Sequence, residues 1–465
     1  MNTPVKAGLA LAVIAGLWAG GTAYSGQRVK TEMILQAEGW RANTQSPIRV
    51  TGVSYQKGFT SATRTLELEF GCTPDQGGKA EPVKMTWRDT IQHGPLPGFA
   101  GFGAARIDSE LVLSDAQRAE LKKATGMDSL PISLRTQVGF GGNTDSTVTM
   151  PAFTLQPDPN TKLSFKGLDA RLQMAKDGSA RFEGKLPGYE IESPQAGFKM
   201  VIADAQFEGE GLAPLWWATS GKGKGSIKTM SFQAPGPEGQ PRTLFALRDL
   251  TVSQDGRVSD NLYSAEAQMQ GKGEIAGQPL DSFSMKYGMK RLNTAIYAEF
   301  VRSFWSQGCQ TAGSNAKAQA EKMMEPLLQL LPHNPQFSLD EFKFTLAGRT
   351  AEFTYSVGTQ GVTAADLKAP NLAPVLMNKA QFKMTAKVPL GLVEQIAKAA
   401  GKELPPEMLE AQVAQGVERG MIKREGEVVS AEVELSAGSL KLNGKPMPFP
   451  GLTPPPQPAQ VPQQQ

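Results

Sequence analysis

The chain has 465 residues, a formal net charge of +3, and 20% charged against 40% hydrophobic side chains. That length holds two or three domains with sizeable cores, and so small a charge, with no recurring Lys/Arg cluster, gives no footprint for a nucleic-acid partner. The two cysteines, Cys72 and Cys309, fall in no CxxC spacing and His93 and His333 are isolated, so no zinc site and no cofactor are expected.

An uncharged stretch, Ala7 to Tyr24, follows Lys6 near the start. It sits at the short end of the roughly 17 to 25 residues that a spanning helix needs, while Gly21-Thr22-Ala23 would also serve as the cut of a cleaved signal. Trp18 and Tyr24 stand where interfacial aromatics would. We read an anchor, a single transmembrane helix with Leu9, Leu11, Val13, Ile14, Leu17 and Trp18 in the bilayer. Gly8, Ala12, Gly16 and Gly20 recur at every fourth position and form one small-residue ridge; Gly16 to Gly20 has the GxxxG spacing that lets two helices approach, a candidate homodimer face. Basic residues flank both ends (Lys6; Arg28 and Lys30), so orientation follows from the large domain behind the anchor. The expectation is an inner-membrane protein of a Gram-negative cell, single-pass, with the bulk of the chain periplasmic.

After the anchor, Val29 to Trp40 reads as a short helical stalk. Leu66, Leu68 and Phe70 then alternate with Glu67 and Glu69, and Val83, Met85 and Trp87 repeat the pattern, each a strand with one apolar face. His93-Gly94-Pro95-Leu96-Pro97-Gly98 must end the second of them. From about Ile132 to Met289 the chain is nearly all alternation and turns, with hairpin signals at Asp177-Gly178 and Asp255-Gly256. Gly221 to Lys228 (GKGKGSIK) reads as a flexible basic loop. Helices come late: one capped by Thr294, one from about Ser314 with Pro326 inside it, one through Leu392 and Ile396, and one opened by Pro405-Pro406. Between them Phe342, Phe344 and Leu346 face Ala351, Phe353, Tyr355 and Val357 across a turn at Gly348, and a last hairpin closes at Asn443-Gly444. The tail from Pro446 is Pro/Gln-rich.

The fold class is therefore α+β: a predominantly antiparallel β-sheet, with about three amphipathic helices in the C-terminal half and the N-terminal transmembrane helix. So few helices cannot cover every one-sided strand, which requires either two packed sheets or one curved sheet with an apolar groove. The organisation expected is an anchor (1–27), a β-rich domain (28–290), an α+β domain (291–445) and a disordered tail (446–465).

Gly58-Phe59-Thr60-Ser61, His93-Gly94-Pro95-Leu96-Pro97, Leu330-Leu331-Pro332 and Leu440-Lys441-Leu442-Asn443-Gly444-Lys445-Pro446-Met447 carry a resemblance. With the N-terminal anchor and the Gln-ended tail, the chain resembles the YdgA-like family of bacterial proteins over most of its length. The resemblance implies an inner-membrane protein, with a dimer among its expectations and no assigned reaction; His93, Gly94, Pro95 and Pro97 are then a family motif of unknown role. The cysteines and the proline run Pro446 to Pro456 look like departures.

The search for chemistry returns little. No GxSxG, HExxH, P-loop or GxGxxG pattern is present. His93 with Asp89 four positions away would be a base with its orienting acid, against the plainer reading of a histidine bonded to a loop carbonyl. Trp216-Trp217 reads as packing before ligand contact, and Glu67, Glu69 and Asp75 as a wet face. In an oxidising compartment Cys72 and Cys309 could pair or stay as two thiols. The function expected is a non-enzymatic envelope protein that binds a partner or serves as a scaffold; the alternative is a lipid-handling groove, and an envelope hydrolase using His93 ranks last.

Overall fold

The computed structural model describes residues 3–42, 48–74, 80–215, 218–236, 240–306, 324–399 and 405–447. Cys309, Asp75, Trp216, Trp217, the first part of the helix expected from Ser314, and the tail beyond Met447 lie outside the described residues. So do the side chains of Gly8, Leu9, Leu11, Ala12 and Cys72, and with them any Cys72–Cys309 pairing.

The chain forms two compact units: Met1–Gly277 with Asn293–Leu327, and Gln278–Leu292 with Leu328–Gln465. In the first, helix α1 (Thr3–Ala42) precedes β1 (Ile48–Lys57), β2 (Ser61–Pro74), β3 (Ala80–His93) and β4 (Ala105–Val112). Helix α2 (Asp115–Thr125), β5 (Ser133–Val138) and β6 (Thr144–Met150) follow, then β7 (Phe153–Asp158), β8 (Thr161–Phe165) and β9 (Leu168–Met174). The longest strands come next: β10 (Ser179–Ser193), β11 (Phe198–Leu215), β12 (Ala218–Pro235), β13 (Pro241–Ser259) and β14 (Leu262–Ile275). Helix α3 (Thr294–Ser306) completes the unit. Every pairing is antiparallel, and sequence neighbours pair except where β6 meets β9 and the β7–β8 hairpin runs beside the far half of β10.

Helix α1 shows why the first strands hold together. Val29, Met33 and Ala37 are spaced four apart, so they line one face of the helix. Val29 and Met33 pack on Ala62, Ile91, Ala105 and Ile107, and Ala37 packs on Val50 and Leu66. At about 1.5–3 kcal/mol for each large apolar side chain taken from water, that stripe docks the helix on the sheet. Val29 to Trp40 is therefore the covering layer of β1–β4 and not a free stalk.

Two further expectations are corrected, and one helix is added. Asp255-Gly256 lies inside β13, where Gly256 pairs with Gly221 on one side and Ala265 on the other. The turn comes later, at Asp260-Asn261, both with positive φ (52° and 58°), as a two-residue hairpin requires. Gly221 to Lys228 belongs to β12: its Gly/Lys alternation puts the lysines on one face and the glycines on the other. Helix α2 was not foreseen, although Ser114 and Gln117 form a reciprocal capping box and Gly126 closes the helix in the left-handed conformation.

Across the long strands the apolar alternation changes phase along one transverse line. In β11 it runs through Met200 and Ile202, then through Ala205 and Phe207; in β13 it runs through Phe245 and Leu247, then Leu250 and Val252. Asp204 and Asp249, both at φ 51°, mark the change. Lys228 of β12 stands level with both, because Ala203 pairs with Thr229, Ala205 with Ile227, and Ile227 with Leu250. Lys228 lies 3.7 Å from Asp204, and Lys272 lies 3.0 Å from Asp249. Alternating charges thus cross the sheet along a crease.

Residues 324–330 are helical (α4). The second unit holds β15 (Gln278–Asn293), β16 (Gln336–Leu346), β17 (Arg349–Thr359), α5 (Leu372–Lys379), β18 (Ala380–Pro389), α6 (Leu390–Ala399) and α7 (Pro406–Glu418). It ends with β19 (Lys423–Glu425), β20 (Val428–Ser436), β21 (Ser439–Leu442) and β22 (Lys445–Met447). Phe342 pairs with Phe353 and Phe344 with Ala351 as expected, and the Phe344 and Phe353 rings stack at 6.1 Å. Leu390, Leu409 and Val413 bury the contact of α6 with α7, against Ile422 and Val429. The β20–β21 hairpin turns at Ala437-Gly438, and Asn443-Gly444 instead joins β21 to β22. Helix α5 is the second one the alternation pattern did not reveal.

Among the described residues no helix is long and apolar enough to cross a membrane.

Candidate functional site

Two places in the first unit carry arranged polar chemistry. The first lies under α1. Register places Arg64 of β2 opposite Asp89 of β3, each on the apolar phase of its strand, beside Ala62 and Leu66 and beside Trp87 and Ile91. Arg64 Nε donates to Asp89 Oδ2 at 2.7 Å, while Trp87 Nε1 (3.0 Å) and Ser109 Oγ (2.6 Å) donate to Oδ1. Arg64 Nη1 also reaches the Met33 carbonyl and Gln36 Oε1 on α1, and the guanidinium lies 5.7 Å from the Trp40 ring. A single buried cation therefore ties the helix to the sheet. Tyr55 of β1 pairs with Arg64 from the other side; burial pushes its phenol up, and the Arg64 charge opposes the shift. In the sequence both charges stand as interruptions of an apolar phase.

The second part of this region is the turn that leaves β3. His93 is buried, and its Nδ1 lies 3.0 Å from the Phe59 carbonyl. A carbonyl only accepts, so Nδ1 carries the proton. Its Nε2 and Thr22 Oγ1 are buried without a hydrogen-bond partner. Asp89 is occupied by Arg64, Trp87 and Ser109, so the structure does not join it to His93. Gly26 of α1 lies against the imidazole so closely that a Cβ would come 2.6 Å from Nδ1. Gly94 is packed on the Gly103 carbonyl, where a Cβ would come within 1.9 Å, and Gly21 rests on Pro95. The Gly94-Pro95 bond is cis, and Pro97 is buried in the short helical turn Pro97–Phe99. Trp18 stacks on Phe99 (6.0 Å) and meets Phe59 edge-on (6.4 Å). The His93-Gly94-Pro95-Pro97 motif is thus a seat for α1.

Of the expected anchor side chains that are described, Val13, Ile14 and Leu17 are exposed. The placing of Trp18 in the bilayer is corrected, because Trp18, Gly21 and Thr22, the last part of the stretch expected to span, are packed on that seat. Gly16 and Gly20 have open space where a Cβ would stand.

The second place is a hollow of about 940 Å3 on β9–β14, lined by Arg171, Glu183, Lys185, Glu208, Lys224 and Gln268 among others. These side chains share the charged phase of the alternation. Lys224 lies 2.7 Å from Glu208, a contact that holds the carboxyl below and the ammonium above their usual values. Arg171 pairs with Asp145 and depresses its carboxyl likewise. A neighbouring hollow of about 840 Å3 extends the surface past Gln173, Arg181, Glu210 and Lys222. The opposite phase is glycine and aromatic: Gly184 lies under Phe207 and Gly209 under Phe182, and Leu172, Met174 and Phe207 are exposed there. Among the described residues no group of three His, Cys, Asp or Glu side chains is placed to hold a metal ion.

The architecture is that of an α+β protein built mostly on antiparallel sheet. A bacterial protein family of unknown function, DUF945, matches residues 1–450, and the chain belongs to that family. It is 20% identical over 503 aligned positions to Protein YdgA of Escherichia coli (strain K12), covering 96% of this chain and 95% of that protein. No solved structure matches it.

Proposed function

We propose that this is a non-enzymatic protein of the bacterial envelope, held in the inner membrane by the start of α1, with its periplasmic body acting as a binding or scaffold module. The observation that carries the reading is the division of α1. Its described apolar residues up to Leu17 face outward, whereas from Trp18 to Ala37 it is fastened to the sheet by Gly26, Val29, Met33 and Arg64. A helix clamped from Trp18 onward, with Val13, Ile14 and Leu17 bare just before the clamp, suits a tether. The hollow on β9–β14, with its rows of opposed charges, supplies a surface for a polar or charged partner. Carbonate washing of membranes from cells making the full chain tests the tether: protein retained in the pellet supports it, and protein released to the supernatant refutes it. A photoreactive residue at Lys185 tests the module. Discrete adducts are the expected result, and their absence under conditions that crosslink other envelope pairs rejects the hollow as a binding surface.

A second reading is favoured by Leu172, Met174 and Phe207, which are exposed on the opposite face of the same strands. Handling of an acyl chain would use that face. Native mass spectrometry of the detergent-extracted protein decides it by the presence or absence of co-purified lipid.

A further inference from the structure

We propose that the Pro95–Gly103 loop, with Phe59 and Phe140 beside it, is a second membrane contact, which seats this end of the first unit on a bilayer surface rich in anionic phospholipid. The inference rests on the tether reading above and adds a site to it.

Three observations converge. The first is exposure: Phe99 and Phe102 are 78% and 77% exposed, Phe59 55% and Leu96 41%. Single exposed apolar residues need no explanation, but a contiguous aromatic patch marks a contact surface. Phe102 packs edge-on against Phe140 at 5.0 Å, and Phe99 and Phe59 both meet Trp18, so two aromatic groups carried on one short loop make up the pad. Phe99 also sits at φ 57°, a left-handed backbone that bulky residues rarely adopt, and its ring is held outward there.

The second is continuity. Trp18 stacks on Phe99 and touches Phe59, and it directly follows Leu17, 71% exposed, on the helix assigned to the membrane. Pad and tether therefore meet at one level, and aromatic rings are the side chains that settle at the headgroup boundary.

The third is charge. Residues 13–31, 56–61, 93–104 and 138–144, which surround the pad, contain no Asp or Glu. They contain Arg28, Lys30 and Lys57. Arg28 Nη1 lies 3.0 Å from the Phe140 carbonyl, immediately behind the pad, and Lys57 Nζ lies 3.1 Å from Gln27 Oε1. Aromatics in front with Arg28 and Lys57 behind match an anionic bilayer surface better than a protein face of mixed charge, and the nearest acid along β4, Asp108, is held by Arg106 and Arg135 at 3.1 and 2.8 Å.

The test uses the full chain in vesicles of phosphatidylethanolamine and phosphatidylglycerol doped with brominated phosphatidylcholine. Phe102→Trp adds a fluorophore to the pad, and Leu244→Trp adds one on β13. Flotation first establishes that the protein is in the vesicles. The expected result is loss of most of the added fluorescence in Phe102→Trp and none in Leu244→Trp, with weaker quenching when phosphatidylcholine replaces phosphatidylglycerol. Protein that floats while Phe102→Trp stays as bright as Leu244→Trp overturns the second contact and leaves the tether intact. Quenching indifferent to headgroup charge overturns the anionic preference. Failure to float refutes the tether, and this proposal with it.

Discussion

Arg64 and Asp89 face each other across β2 and β3 with 2.6 Å between Nη2 and Oδ2, and both side chains are buried. A pair so placed fixes geometry more than it stabilises, because desolvating two charges offsets most of their attraction. Removing one partner is another matter. Asp89→Ala strands the Arg64 cation and two further donors, and is expected to lower the unfolding free energy by about 3–5 kcal/mol. Joint replacement by Arg64→Met and Asp89→Leu is expected to cost far less, since no charge is left behind. Urea titrations of the two proteins measure the contrast; equal losses would show that packing, not charge, dominates the site.

Gly26 and Gly20 share α1 but not surroundings. A methyl at Gly26 meets the His93 ring at 2.6 Å, whereas at Gly20 it meets nothing. Gly26→Ala is therefore expected to lift α1 from its seat, lowering the thermal midpoint and exposing the Gln27–Gln36 segment to protease. Gly20→Ala is expected to raise stability by roughly 0.5–1 kcal/mol through helix propensity. If α1 pairs with a second copy through its small-residue ridge, the same Gly20→Ala also weakens dimer crosslinking.

Much of the sheet was legible in the alternation of apolar and polar residues, as at Leu66/Leu68/Phe70 and at Phe342 opposite Phe353. What misled was local turn chemistry. Asp255-Gly256 is a strong hairpin signal, but two flanking ladders hold it in mid-strand; the deciding interactions are with β12 and β14, distant in sequence. The seat for α1 was visible only in part. His93-Gly94-Pro95 announced a turn, yet nothing local says that Gly26, sixty-seven positions upstream, closes on its imidazole. The aromatic pad was hidden because Pro-Leu-Pro-Gly-Phe-Ala-Gly-Phe-Gly reads as loop composition alone.

Asp366 gives the second unit an acid-sensitive contact. The Lys379 ammonium, 2.5 Å away, and the Thr363 hydroxyl and amide hold its carboxyl at about 2, below the ordinary 3.8. A carboxylate depressed in the folded state stabilises fully above its unfolded value and loses that contribution as the pH falls through its folded value. The window is therefore from about 4 down to about 2. Denaturant midpoints followed across it are expected to fall less steeply for Asp366→Asn than for the unaltered protein, with the two curves converging at the acid end.

At the crease, Asp249 takes a left-handed backbone (φ 51°) that glycine adopts without strain. Its exposed pairing with Lys272 is worth at most about 1 kcal/mol. Asp249→Gly is accordingly expected to be near neutral, and Asp249→Val to cost about 1–3 kcal/mol by forcing a β-branched residue into that conformation. Guanidinium titrations of both variants check the ordering.

Because Asp204, Lys228 and Asp249 stand level on three adjoining strands, the phase change belongs to the group and to no single chain segment. Inserting or deleting one residue in β12 would carry Lys228 off the line and set its neighbours' side chains against the wrong rows. Length changes in this stretch of the gene should therefore survive only in concert, on several strands at once, while substitutions on either side drift freely.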